Sequence, residues 1–305
     1  MKILRNSLIV VAILSIGGYY LVEKVLPYVG IKPMRRTAAD MNWALPKGLN
    51  PDSYALKTQK ISLFTPDSIQ LCALLVSAYR DTPLATIVLI HGISGCKETQ
   101  LERAQVLAEA GYASLLLDLR AHGESEGVYC TFGVKEKNDL RVVADTLERR
   151  FPKQKLGIWG ASLGGAVALQ AMEVEPRYQI GIIESTFDEY EKVAMEYGAQ
   201  WLFGLRSAWL TAHILEKSGE IAHFDPEMAM PVAAARQIER PVLFIHGDRD
   251  ARIPMSFGKN NFEVCPAPTK KWYRVHGGGH NNLWRKEYEA LKRETVGFLQ
   301  QHLAP

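Results

Sequence analysis

The sequence predicts an α/β protein built on a mostly parallel, doubly wound sheet, and three observations lead there. From Thr86 onward, short apolar runs alternate with segments of helical composition, the order that a parallel sheet covered by helices requires. Leu156 to Trp159 reads as a buried strand, Gly160-x-Ser162-x-Gly164 follows, and Ala166 to Met172 has the small, apolar composition of a helix packed on a sheet. Ahead of both, Tyr54 to Ser62 and Ile69 to Tyr79 read as two strands around the turn Thr65-Pro66-Asp67-Ser68, an antiparallel pair at one sheet edge.

Taken in order, the chain begins with an almost wholly apolar stretch from Ser7 to Val22, with Lys2 and Arg5 before it and Glu23 and Lys24 after it. With Ile3, Leu4, Val25 and Leu26 it approaches the roughly 20 residues that span a bilayer. A cleaved signal peptide is the rival, but no A-x-A-like site follows Tyr19-Tyr20-Leu21. Residues 1–28 are therefore expected to form a single uncleaved N-terminal transmembrane helix, with the membrane as a partner. Basic residues flank it on both sides, so charge alone does not orient it. A short basic N-terminus usually stays inside, which puts the larger domain outside the cytoplasm. Residues 29–53, with Pro33, Pro46 and Pro51 and no lasting periodicity, read as a linker.

The domain itself is expected over 54–305. Thr86 to Ile90 is its first fully buried strand, followed by His91-Gly92-Ile93-Ser94-Gly95 and a helix from about Thr99 to Ala110. Ala113 to Asp118 is the next strand, and a helix over about Lys135 to Arg150 leads to the strand before Ser162. Ile180 to Glu184, Val242 to His246 and Lys271 to Val275 supply further strands, and Glu287 to Gln301 a last helix. Over about 186–238 the alternation breaks down. Tyr190, Tyr197, Trp201, Phe203, Trp209 and Phe224 fall there among Met195, Met228 and Met230, the content of a helical cap over an apolar pocket. Ordinary helix packing on the core is the competing reading.

Composition narrows the function classes. The 305 residues carry 36 basic and 33 acidic side chains, a formal net charge of +3, too balanced for a nucleic-acid partner, and no basic run with interleaved aromatics occurs. Cys72, Cys96, Cys130 and Cys265 are scattered without metal-type spacing, so no metal is expected. No cofactor is expected either: the turn at Ser162 lacks the G-x-G-x-x-G pattern and the phosphate-loop lysine.

The turn at Ser162 points instead to a nucleophile elbow. A serine at a sharp strand-to-helix turn needs glycines two residues before and after, because side chains there would clash. The helix after it aims amide groups and its positive dipole end at the serine. A serine hydroxyl needs a base to take its proton and an acid to orient that base. Val242 to Asp250 is a strand running into a turn with two acids, Asp248 and Asp250. Lys271 to His280 is a strand running into a glycine loop that ends in a histidine. His276 and His246 compete as the base, but the glycines before His280 allow that loop to fold over the sheet edge. The backbone amides of Leu163, after the nucleophile, and of Ile93, after His91-Gly92, are the expected oxyanion donors.

From about Tyr54 to the C-terminus the chain resembles serine hydrolases of the α/β-hydrolase superfamily, in particular membrane-anchored esterase-like proteins related to the prolyl oligopeptidase catalytic domain. The residues that carry the resemblance are His91-Gly92, Asp118-x-Arg120-x-His122-Gly123-x-Ser125, Gly160-x-Ser162-x-Gly164-Gly165, Gly247-Asp248-x-Asp250-x-x-Ile253-Pro254 and Gly279-His280. It implies a catalytic order Ser162, Asp250, His280, with Asp250 rather than Asp248 as the carboxylate and Asp248 tightening the turn. The implied activity is hydrolysis of a small-molecule carboxylic ester, or an amide or thioester, through an acyl-enzyme. A peptidase acting on short peptides is the alternative, and a non-catalytic tethered binding protein a further one.

Overall fold

A computed structural model describes residues 2–201 and 204–303, apart from the side chains of residues 2–5, 8–12 and 201. Phe203 of the expected cap lies outside the described residues. Among the described residues eight strands form one sheet in the order β1-β2-β4-β3-β5-β6-β7-β8. They are β1 (Thr58–Phe64), β2 (Gln70–Val76), β3 (Thr86–Ile90), β4 (Ala113–Leu117), β5 (Leu156–Ala161), β6 (Tyr178–Glu184), β7 (Val242–Gly247) and β8 (Lys270–Val275). From β3 to β8 every pairing is parallel, while β2 runs antiparallel to both β1 and β4.

The apolar runs of the central strands follow from burial on both faces. In β3, Val88 and Ile90 join one hydrophobic cluster and Ile87 and Leu89 the other; in β7, Phe244 and Leu243 divide the same way. Of the helices introduced in chain order, α1 spans Lys2–Tyr20, α2 Leu26–Ile31, α3 Leu101–Glu109, α4 Glu136–Arg150 and α5 Leu163–Val174. Between β6 and β7 lie α6 (Tyr190–Trp201), α7 (Ala208–Ala222) and α8 (Pro231–Ala235), then α9 (Met255–Val264) and α10 (Leu283–Leu303) follow. Apolar residues of α4 and α5 fill the first cluster, and those of α3 and α10 the second.

The N-terminal expectations need correction. Among the described residues no helix is long and apolar enough to cross a membrane, so the single-pass anchor and the membrane partner are not supported. Much of that apolar stretch, at residues 2–5 and 8–12, has side chains outside the described set. Beyond Tyr20 the chain makes contacts with the domain. Glu23 meets His213 Nε2 at 2.6 Å, the Ser218 hydroxyl donates to the Pro27 carbonyl at 2.8 Å, and Ile31 is fully buried.

Residues 32–50, expected as a linker, are laid against the domain. The Met34 amide donates to Ser94 Oγ at 3.1 Å, and the Arg35 guanidinium donates to the carbonyls of Gly123, Ser125 and Gly127. Met41 and Leu49 bury themselves beside Cys96. Two apolar side chains and one multidentate cation are enough to hold a segment whose prolines and polar residues show no periodicity.

The insertion after β6 divides its aromatic residues between core and solvent. Tyr190 is buried and stacks on Phe132 at 3.7 Å between centroids, which is core packing, while Trp209 is 76% exposed. The last helical segment opens at Leu283 and kinks at Glu287, the expected start, whose backbone is non-helical. The Glu287 carboxylate accepts from the Tyr273 hydroxyl at 2.7 Å and the His276 amide at 2.9 Å.

Candidate active site

Three loops at the carboxyl ends of β5, β7 and β8 meet at Ser162. Parallel strands bring their carboxyl ends to one edge, which is why residues so distant in sequence converge there. Ser162 stands between β5 and α5 with φ +56° and ψ −121°, outside the regions that L-residues prefer. The glycines around it are steric necessities: a Cβ on Gly160 would lie 2.0 Å from the Gly164 carbonyl oxygen, and one on Gly164 2.4 Å from that of Ile90. The turn is held by the Ser162 amide donating to the Glu184 carbonyl at 2.8 Å and by the Thr186 hydroxyl donating to the Ser162 carbonyl at 2.9 Å.

His280 Nε2 lies 3.0 Å from Ser162 Oγ, and its Nδ1 lies 2.7 Å from Asp250 Oδ2. With an ionised carboxylate facing it, Nδ1 carries the proton, and Nε2 of the neutral ring is left to accept from the serine hydroxyl. The other oxygen of Asp250 accepts from the amides of Arg252 at 3.0 Å and Ile253 at 2.9 Å. Burial alone would push the Asp250 carboxyl up; hydrogen bonds from His246, His280 and the Ile253 amide outweigh it and hold the group well below the usual carboxylate range.

The competing residues lie elsewhere or act otherwise. His276 is an exposed side chain 3.5 Å from Asp248, and Asp248 accepts from Arg274 and from the Gly277 amide at 2.8 Å. Asp248 thus pins the glycine loop that carries His280. His246 is buried with Nε2 at 3.0 Å from the Ile253 carbonyl and 3.5 Å from Asp250 Oδ2. It supports the acid's loop and does not reach the serine. A surface depression of about 460 Å³ between β8 and α10, lined by Lys270, Lys271 and Arg293 among others, contains none of Ser162, Asp250 and His280.

On the other side of Ser162 runs the loop after β3. A Cβ on Gly92 would sit 3.3 Å from that of Ser162, so the backbone carrying Ile93 passes directly against the elbow. Leu163 opens α5. Neither the Ile93 nor the Leu163 amide has a hydrogen-bond partner among the described residues.

His91 fixes the Ile93 loop. Its Nδ1–H donates to the Gly92 carbonyl at 2.7 Å and its Nε2 accepts from the Leu119 amide at 3.1 Å, a pattern that only the neutral ring satisfies. Burial pushes its pKa down, and the same cause, with the neighbouring His91, takes His122 down to about 3. His122 donates from Nδ1 to the Arg120 carbonyl at 2.9 Å, with its ring centroid 5.0 Å from that of His91.

A pH dependence of stability follows. With its folded pKa depressed, His122 contributes stability that is fully present above its unfolded value and is lost as pH falls toward about 3. The melting temperature should therefore drop between those limits. His122→Asn keeps a donor for Arg120 and removes the titration, so thermal melts across that range should give a shallower slope.

Residues 81–220 match the family model described as serine aminopeptidase, S33. The chain is 28% identical to the uncharacterized protein YqkD of Bacillus subtilis over 73% of each chain. It is 24% identical to an uncharacterized membrane protein of Saccharomyces cerevisiae over 92% of this chain and 90% of that one. Among solved structures, the Pyrococcus furiosus esterase Pf2001 superposes with a TM-score of 0.71 at 21% identity, covering 89% of this chain and all of that one. The fold is that of the α/β-hydrolases, and residues 81–220 are similar to a serine hydrolase family.

Proposed function

We propose that the chain hydrolyses carboxylic esters by acyl transfer, with Ser162 as nucleophile, His280 as general base and acid, and Asp250 as the carboxylate that orients the imidazole. The continuous hydrogen-bonded path from Ser162 Oγ through His280 to Asp250, at 3.0 and 2.7 Å, is the observation that carries this reading. Ser162 Oγ attacks the ester carbonyl as its proton passes to Nε2. The charge that forms on the carbonyl oxygen falls to the amides of Leu163 and Ile93. Collapse expels the alcohol, which takes the proton from His280. Water, deprotonated by the same ring, then attacks the acyl-enzyme, and the carboxylic acid leaves as Ser162 recovers its proton.

The family description favours a second reading, a peptidase that accepts short aminoacyl substrates. The same three residues would perform it, with an amine in place of the alcohol. A p-nitrophenyl ester series of increasing acyl length set beside a panel of aminoacyl p-nitroanilides separates the two. Preference for the esters in kcat/KM supports the proposal; preference for the anilides replaces it with the peptidase. A native protein that turns over neither panel and takes up no fluorophosphonate would revive the non-catalytic reading.

A further inference from the structure

We infer that Glu184 is a positioning residue that sets the spacing between Ser162 and His280 from beneath the elbow. The inference rests on the acyl-transfer reading above. Glu184 ends β6, where its main-chain carbonyl accepts the Ser162 amide at 2.8 Å. Its side chain is 2% exposed. There Oε1 accepts from the indole N–H of Trp159 at 2.8 Å, from that of Trp284 at 3.0 Å and from Arg103 Nε at 3.3 Å, and Oε2 pairs with the same guanidinium.

The two indoles belong to opposite sides of the reaction. Trp159 is on β5, three residues before the nucleophile; Trp284 is in the first turn of α10, four residues after His280. One buried carboxylate is therefore bonded to the strand that delivers the hydroxyl and to the segment that anchors the imidazole loop. The guanidinium of Arg103 lies 5.8 and 5.6 Å from the two indole rings and neutralises the carboxylate between them.

Buried ion pairs commonly add little stability over apolar side chains of the same volume. Two N–H donors sharing one oxygen do fix a distance, which packing of smooth apolar surfaces does only loosely. The distance at stake is the 3.0 Å over which Ser162 passes its proton. Every group in this hub lies outside the reacting atoms and acts only through the residues it holds.

Trp284→Phe tests the idea, because an aromatic ring remains beside Tyr288 while the N–H is lost together with part of the indole's volume. Glu184 keeps Trp159 and Arg103, so no buried charge is stranded. Turnover of p-nitrophenyl acetate should fall about tenfold in kcat with KM unchanged within about twofold, measured at a temperature where thermal melts show the variant fully folded. Glu184→Gln should fall further, and the two changes together should cost less than the product of the single losses, since both break one network.

Three results overturn the inference: Trp284→Phe with native kcat, losses that multiply independently, or a loss of kcat that tracks the fraction unfolded. In each, native protein that still turns over the ester leaves the acyl-transfer reading standing. Native protein that neither turns over the ester nor takes up a fluorophosphonate removes both.

Discussion

Ser162→Ala should lower turnover of p-nitrophenyl acetate by roughly 10⁵-fold and abolish covalent labelling by a fluorophosphonate, while leaving the fold intact. The substitution suits the position. Ser162 already holds φ +56°, so the strain of that backbone is common to both residues, and alanine keeps the Cβ beside Gly92. Only the hydroxyl and its bond to His280 disappear. Circular dichroism and a thermal melt should match the native protein, so lost activity cannot be ascribed to unfolding. Unchanged hydrolysis would show that the nucleophile is another residue or that the turnover comes from a contaminant. Residual rates above water are compatible with the mechanism, because the amides of Leu163 and Ile93 would still stabilise an oxyanion formed by direct attack of water.

The residues of this site were legible in the sequence because each belongs to a short, sterically constrained turn. Gly160 and Gly164 announce the elbow: a Cβ at either would collide with backbone, so composition there records geometry directly. The acid and the histidine follow strands of six residues each, β7 and β8, and a parallel sheet brings those ends together whatever lies between. Glu184 carried a fainter signal. A carboxylate closing the run Ile180 to Ile183 is out of place in a buried strand, but its partners Arg103, Trp159 and Trp284 lie on α3, β5 and α10, and no local spacing connects them.

The expected N-terminal anchor is not supported among the described residues. An apolar stretch bounded by charges has a composition that does not record what surrounds it. What decides from Glu23 onward is a set of single contacts to α7 and to the loops beside the elbow, made by Glu23, Pro27, Met34 and Arg35. Each is specific to a partner more than 50 residues away, which periodicity does not record. The insertion after β6 illustrates the same limit. Its aromatic residues suggest a pocket lining, but only the tertiary fold assigns Tyr190 to the core and Trp209 to solvent.

Asp250→Asn should retain the fold and lower kcat by on the order of 10⁴-fold, because it changes which nitrogen of His280 holds the proton. In the native protein Oδ1 is occupied by the amides of Arg252 and Ile253, leaving Oδ2 to face Nδ1–H of His280. An asparagine in the same place directs its carbonyl oxygen to those two amides, since both are donors. Its NH₂ then faces Nδ1, which can only accept, and the ring proton moves to Nε2. Nε2 now points a hydrogen at Ser162 Oγ and cannot take the serine proton. Fluorophosphonate labelling should slow with kcat, whereas KM should change little, since no substrate contact is touched. Stability provides an independent reading of the same carboxylate. Its folded pKa lies below the unfolded value, so the ion contributes stability that is present above the usual carboxylate range and lost as pH falls through the folded value. The asparagine variant should show a flatter acid limb in thermal melts together with the loss of kcat. A variant with native kcat would mean that His280 is held in its tautomer by some other group, and Asp250 would then have no part in the reaction.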